Sequence, residues 1–595
     1  MAADAMTSAF EPLFDFSYAI GLDTGYGSLN TTDIGSGQFL ATAGTLTVTG
    51  TLTGVPSGGS YPLYPGGPAV VNSPSDRFIY NNVLYPSINP AIDVDGILFI
   101  SGGLEINIWG NAASDYEFDD YDGSAYTNDN TGEPFTLISA PGGGQTAPAK
   151  FTFNVNSAPN CTNDFVVIGI PTNPAPGGQA NIVGVNHLYS GGTDALCSTG
   201  PTVMFAYASG SGEVPASVVI SQDGSQIGYV ENLPTGSSYF HVLTLGTIGT
   251  NGTSTTAAVV PGSAGGNNAV DRTVLLSPDG GTTNQSSTNT VFVVYTPNDS
   301  SDVAYASTYS TAGGGSGYLY KISNVFNNSV PTIVWSVPID AIPSTPVYDS
   351  VSNKVFFTDS SGRIDYVVDT GASPSVVYSA VLANGNTAEN PVVVDSTHQM
   401  VYASFNSNGT NSLIVQVPTS MASAVSVPVG TASTIYTGPY EPDFNNAWYT
   451  GTGTPLLYIA GTGTGTLPTL YSVGFNGSGE MNSSVNASTP LTTGTADSAP
   501  VTEFYNATLQ KDYLFVGVTN NCIASTNGGS AGCIMSLNIT GGFPTVNAST
   551  TALAAAGGTT GIIVDNDSGF NQASSIYFAT KTGDSLVKAS QSGLN

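Results

Sequence analysis

Charge is what this chain of 595 residues has least of. Asp, Glu, Lys and Arg together make up 8% of it, against roughly 25% in an average soluble domain. Cations are the scarcest: nine Lys and Arg face 41 Asp and Glu, for a net charge of −32. Nucleic-acid binding needs clustered cations to displace counterions from phosphates, so no nucleic-acid partner is expected. An anionic membrane surface is disfavoured for the same reason. No apolar run reaches the roughly 18–20 residues that span a bilayer, so membrane insertion is not expected. The opening "MAADAMTSAFEPLF" has neither a basic n-region nor a long apolar stretch. It does not read as a signal peptide, and the expectation is a mature or truncated start.

Catalytic sets are also missing. There are three histidines, His187, His241 and His398, scattered along the chain. No HExxH, P-loop or GxGxxG occurs. "GGSAG" (528–532) fits the GxSxG string, but lies between Cys522 and Cys533 and not at a strand-to-helix elbow. "VVDTG" (367–371) is a lone partial echo of quinone-propeller motifs. The expectation is no enzyme, no catalytic residue and no cofactor.

Four cysteines in a charge-poor chain suggest two disulfides and an oxidising compartment. The sequence-local pairing is Cys161–Cys197 and Cys522–Cys533. A zinc site is the rival reading, weakened by the few histidines and the lack of CxxC.

What the chain does have is Gly (72), Tyr (30) and β-branched residues, the composition of a turn-rich all-β protein. "KVFFTDSSGRIDYVV" (354–368) reads as strand, tight turn, strand. Similar hairpins lie at 302–323, 400–417, 456–473, 513–538 and 575–590. Short strands such as "PVYD" (346–349), "PVVVD" (391–395), "PVTE" (500–503) and "IIVD" (562–565) precede most of them. The anchors Pro346, Pro391, Pro439, Pro500 and Ile562 recur every 45 to 62 residues. Four short strands at that period mark a β-propeller blade. Units at 164–208 and 217–245 extend the series to about eight, or seven if the first and last share a blade. An array of β-sandwiches is the structural alternative.

Upstream, "FDFSYAIGLDTGYGSLNTTDIGSGQFLATAGTLTVTG" (14–50) is a meander of alternating strands, continued at 78–86, 93–111 and 116–126. "APGGGQTAPAK" reads as a linker. The expected organisation is an arm (1–13), a β-sandwich (14–139), a linker (140–149) and a seven- or eight-bladed β-propeller (150–595).

Two resemblances follow from these residues. "NCTNDFVVIGIP", "ALCSTGPTVMFAYASG", "DVAYASTYSTAGGGSGYLYKISNVF", "TPVYDSVSNKVFFTDSSGRIDYV" and "SLVKASQSGLN" resemble a family of secreted bacterial propellers, which implies a fold and no activity. Residues 14–138 resemble the β-sandwich domain of PEP-CTERM (exosortase-substrate) proteins. The Pro-Glu-Pro signal, apolar helix and basic tail of that family do not follow at "QSGLN". The resemblance therefore implies export and a sandwich, not sorting.

Asp115, Glu117, Asp119, Asp120 and Asp122 are the densest charge in the chain and the candidate calcium ligands. In a strand, 115, 117 and 119 share a face. The plainer reading is a solvated edge and turn, since EF-hand spacing is absent. Asp565 and Asp567 are a weaker pair. Trp109, Trp335 and Trp448 are candidates for stacking on sugars. The leading functional expectation is an extracellular, non-enzymatic structural protein that self-associates into a filament, layer or matrix. Its partner would be itself, and the 1–13 arm would add a strand to a neighbour. A glycan-binding adhesin is the alternative, and a polysaccharide hydrolase or lyase a third.

Overall fold

The computed structural model describes residues 13–590 except for interior stretches, the longer ones being 50–59, 86–91, 140–146, 152–158, 190–195, 279–284, 384–389, 433–438, 525–531 and 567–573. The expected arm, apart from Leu13, and most of the expected linker fall outside the described residues.

The chain is all-β: a β-sandwich followed by an eight-bladed β-propeller. In the N-terminal part, one sheet runs Phe135–Ser139, Leu13–Ile20, Asp23–Gly35, Gln38–Thr49, Ser60–Pro62, with Val83–Leu84 also on Gln38–Thr49. A second runs Tyr126–Glu133, Asp115–Tyr121, Leu104–Ala112, Ile97–Ser101. Leu29, Ala41, Leu46 and Val48 of the first sheet share one core with Ile97, Phe99, Ile106, Ile108 and Phe118 of the second. Two sheets burying their inner faces on each other define a sandwich.

From Ala149 onward, eight antiparallel units follow in chain order, the fifth and sixth joined into one sheet by a single parallel pairing of Gly430 with Thr462. Seven contain four-strand meanders, spanning 149–207, 219–275, 285–339, 347–377, 393–431, 443–490 and 502–554. The eighth, 563–590, has three strands among the described residues. They are numbered here blades 1 to 8. Both faces of each blade are covered by neighbours, so central strands can be buried along their whole length and need not alternate. Phe165–Gly169, Leu456–Thr462 and Pro468–Gly474 are buried at every position.

Eight apolar clusters sit at eight interfaces and close the ring. Phe165 and Tyr229 join blades 1 and 2, Phe240 and Tyr320 blades 2 and 3, and Tyr305 and Phe357 blades 3 and 4. Phe356 and Val401 join blades 4 and 5, Tyr402 and Leu457 blades 5 and 6, and Tyr458 and Val516 blades 6 and 7. Phe515 and Ile576 join blades 7 and 8. Val166 and Tyr577 join blade 1 to blade 8. The ring therefore has eight blades, the higher of the two expected counts. The shared-blade alternative fails because the first and last units form separate sheets.

Closure adds a buried ion pair to that packing. Lys150 Nζ, in the first strand of blade 1, lies 3.0 Å from Asp565 Oδ2, in the first strand of blade 8. Tyr189 receives a hydrogen bond from Lys150 at 3.2 Å and donates one to Asp164 at 2.7 Å. Lys588 is buried beside this pair, and burial pushes its ammonium down to about 7.

Both disulfides form as expected. Cys161–Cys197 ties the first connection of blade 1 to its third, and Cys522–Cys533 closes the second connection of blade 7. With the thiols so paired, the zinc reading is overturned.

Candidate functional site at the ring mouth

Those candidate calcium ligands of the sandwich whose side chains are described are held in other contacts or buried in their strand. Asp122 Oδ1 caps a turn, accepting from Ser124 N, Ser124 Oγ and Ala125 N. These bonds hold its carboxyl below the usual range. Asp119 accepts the Trp109 indole N–H at 3.0 Å, and Glu117 and Asp120 are buried in the strand. The side chain of Asp115 and all of Asp567 lie outside the described residues. Among the described residues no three His, Cys, Asp or Glu stand at metal-ligand spacing. Most of "GGSAG" is likewise undescribed.

The tryptophans are structural donors. Trp335 and Trp448 are buried, donating to Asp369 at 3.2 Å and to Asp395 at 2.7 Å. The histidines are held too. His241 lies on one face of blade 2 between carboxylates on both adjacent strands, 3.0 Å from Glu231 Oε2 and 3.0 Å from Asp271 Oδ2. Its ring stacks on Tyr229 at 4.7 Å. Burial opposes the charge, but Asp271 and Glu231 outweigh it and hold the imidazole up at about 9. Such a group is a buried cation and not a general base at neutral pH. His187 Nδ1 is hydrogen-bonded to Asn186 and Thr202. His398 Nδ1 lies 2.7 Å from Asp395 Oδ2, with its ring 4.5 Å from Trp448.

The densest functional-looking cluster is where blades 5, 6 and 7 present their first connections. Asn446–Thr450 forms one short helical turn after the first strand of blade 6. It buries Trp448 against Phe444 and Phe475 and leaves Tyr449 63% exposed. Burial first, and then the charge of nearby Asp443, raise the Tyr449 hydroxyl. Asp443 accepts from Phe444 N and Glu503 N, both at 2.8 Å. Burial nevertheless pushes Asp443 up to about 6 and Glu441, two residues away, up to about 7. Behind Asp443, Glu503 faces Asp512 within blade 7, and Asp512 Oδ2 accepts from Asn446 N at 2.9 Å. The mouth thus combines an exposed aromatic ring, a half-exposed imidazole and acceptor carboxyls. Such a surface suits a polyhydroxylated ligand better than an anion. Sequence reasoning singled out Trp448 here but missed Tyr449, whose exposure depends on the turn that follows Phe444.

A separate shallow depression of about 470 Å³ lies along the outer strands of blade 7, lined by Tyr513, Asn538, Asn547 and Thr551 among others. It holds no titratable group besides Tyr513.

No family model matches the chain, and no curated protein matches it. Propeller structures do match. Sqt1 from Chaetomium thermophilum is 11% identical, with 69% of this chain and 90% of that one covered at a TM-score of 0.40. The Cps50 (Swd1) β-propeller domain from Myceliophteria thermophila is 6% identical, covering 63% and 96% at 0.34. A prolyl endopeptidase is 9% identical, covering 73% and 55% at 0.34. At these identities nothing about activity is carried over. Neither the secreted propeller family nor the PEP-CTERM domain gains support from them.

Proposed function

We propose that the protein is an extracellular, non-enzymatic structural subunit that associates with copies of itself at the cell surface. The observation that carries this reading is where the cations are. Lys150, Lys321, Arg363 and Lys581 are in ion pairs inside the propeller. Lys588 is buried. Lys354 lies over Tyr366 at 4.0 Å and bonds to Thr419 O. Arg272 turns back to Thr244 Oγ1 at 2.9 Å. Arg77 lies over Tyr121 in the sandwich, and Lys511 is exposed at a hairpin.

Apart from Arg272 in Val270–Leu275, the outer strand of blade 2, none of these cations guards an outer strand edge, the usual protection against edge-to-edge pairing. At the rim of blades 3 and 4, Val330, Val334, Val377, Tyr378 and Val381 are 59%, 43%, 41%, 39% and 61% exposed. Apolar surface of this kind, beside the open edge of Val376–Val377, suits a second copy. The two disulfides are compatible with an extracellular setting, and among the described residues no helix is long and apolar enough to cross a membrane. Val377→Lys with Val381→Lys should convert assemblies to single rings in light scattering with the fold intact. Unchanged assembly would remove this surface from the account.

The exposed Tyr449 favours a second reading, a glycan-binding adhesin. A glycan array with the native chain and with Tyr449→Ala tests it, and equal binding by both would count against the mouth.

A further inference from the structure

Twelve buried side-chain oxygens and nitrogens lack a hydrogen-bond partner among the described residues. Four of them are carboxylate oxygens: Asp302 Oδ2, Asp365 Oδ2, Glu503 Oε1 and Asp512 Oδ1. An ionised carboxylate has only acceptors, so burying one of its oxygens without a donor is costly. Every one of these four belongs to a pair of carboxyls that face each other.

Two of the pairs have the same origin. In blade 7, Glu503 is cross-strand from Leu514 and Asp512 from Tyr505, so the two acids are diagonal neighbours on one sheet face. In blade 4, Asp359 is opposite Arg363 and Asp365 opposite Phe357, which again makes the acids diagonal neighbours. The third pair, Asp299 and Asp302, spans the tight turn that opens the second strand of blade 3. Asp302, Asp365 and Asp512 are 0%, 0% and 5% exposed.

The remaining oxygens are already filled. Asp302 Oδ1 takes Thr296 N and Oγ1, both at 2.6 Å. Asp365 Oδ1 takes Ser379 N at 2.8 Å, and Asp512 Oδ2 takes Asn446 N. Among the described residues no Lys, Arg or His pairs with Glu503, Asp512, Asp299 or Asp302. Only the blade 4 pair has a cation. Arg363 bonds to Asp359 and Asp340, but its Nε stands 3.5 Å from Asp365 Oδ2 without forming a hydrogen bond.

We propose that each of these three pairs holds one proton in the folded state, so that the pairs stabilise the propeller in mild acid and lose that contribution towards alkaline pH. One proton between two facing oxygens turns an unpaired acceptor into a donor–acceptor pair and removes one buried charge. Burial first, and then the neighbouring carboxyl, raise Asp299, Asp365 and Glu503 above the ordinary carboxyl range.

The sign follows from linkage. A carboxyl whose folded-state value is raised binds its proton more tightly in the folded state, so its stabilisation is full in acid and is lost as pH rises past the unfolded carboxyl value of about 4. Groups facing the pairs act in the same sense. Asp443 beside Glu503 is itself raised, Asp223 adds negative charge near Asp299, and Tyr295 and Tyr378 are neutral neighbours. His241 adds to the trend, since its stabilisation is full below about 6.5 and lost through about 9. Lys588, lowered by burial, acts in the opposite direction, and so do Asp223, Glu231, Asp271, Asp349 and Asp369, whose partners outweigh burial and hold them low, so that their stabilisation fades below about pH 4.

The test is thermal unfolding of the full chain in chelator at about pH 4.5, 6 and 8, for the native protein, Glu503→Gln and Asp365→Asn. The native midpoint should fall by several degrees from the lowest to the highest pH. Each variant, carrying an amide donor in place of the proton, should match the native chain in acid and fall less on going to pH 8. A native midpoint that rises over this range, or variants equally destabilised at every pH, overturns the proposal. So does a rise at pH 8 on adding Ca²⁺ that Glu503→Gln abolishes, because a cation would then hold the pair. If both variants fail to fold, infrared spectra of the native protein decide: a protonated-carboxyl C=O band persisting at neutral pH is expected, and its absence contradicts the three proton sites.

Discussion

At the scale of single residues, blade 2 shows how a charge-poor chain uses the little charge it has. His241 stands between Glu231 and Asp271, and Glu231 also takes the backbone N–H groups of Ser211 and Gly212 at 2.5 Å each. Ser209 Oγ donates to Asp271 at 2.6 Å. Replacing His241 by Leu leaves two buried carboxylates without their cation, so a loss of about 3–5 kcal/mol is expected. The native contribution is full below about pH 6.5 and disappears as pH rises through about 9. Denaturant titrations of His241→Leu at pH 6 and pH 10 check this. The difference from the native chain should shrink at the higher pH, and a constant difference would mean that His241 acts by packing alone. None of this was legible in the sequence. The histidine meets its carboxylates through cross-strand diagonals, and those depend on register, not on spacing along the chain.

At the scale of elements, much more could be read. The hairpin at 354–368 is two strands, Lys354–Asp359 and Arg363–Val368, around a turn in which Gly362 has φ 79°. Only glycine adopts that conformation without strain, and the Ser-Ser-Gly string announced it. The Cys522–Cys533 staple was legible because both cysteines flank one Gly/Ser/Asn connection. It closes a short loop, so removing it by Cys522→Ser with Cys533→Ser should cost roughly 3 kcal/mol, read as a lower unfolding midpoint than that of the native chain without reductant. The acidic residues after the first strands were seen but not understood. Asp349 and Asp395 cap the turns that follow, accepting from Ser352 N and His398 N at 3.0 Å each. Glu503, in the similar string "PVTE", lies within its strand and faces Asp512. The two roles look alike in sequence because a one-residue change of register exchanges turn and sheet face.

At the scale of the whole molecule, ring closure is the step on which the architecture depends. Blade 8 has three strands among the described residues, and its closing contact with blade 1 is made face to face around Tyr577 and the Lys150–Asp565 pair. Lys150→Met should therefore lower stability by several kcal/mol, by removing the 3.0 Å partner of the buried Asp565 and leaving Lys588 as the nearby cation, about the cost of breaking a buried ion pair. Limited proteolysis should then cut first in the terminal blades; uniform cutting would show that closure is not the weak seam. The repeat period announced a ring, and the eight interface clusters fix its size. Function was the least legible level, because the proposed self-association rests on which strand edges stay bare, and that is visible only once most of the cations have been located.

The central claim is that bare edges and exposed valines make this ring a subunit of something larger. The most direct measurement is electron microscopy of the purified full chain at about pH 5, where the acid pairs favour the folded ring. The account predicts ordered filaments or sheets that Val377→Lys with Val381→Lys disperses. Single, unassociated rings at every concentration would contradict it.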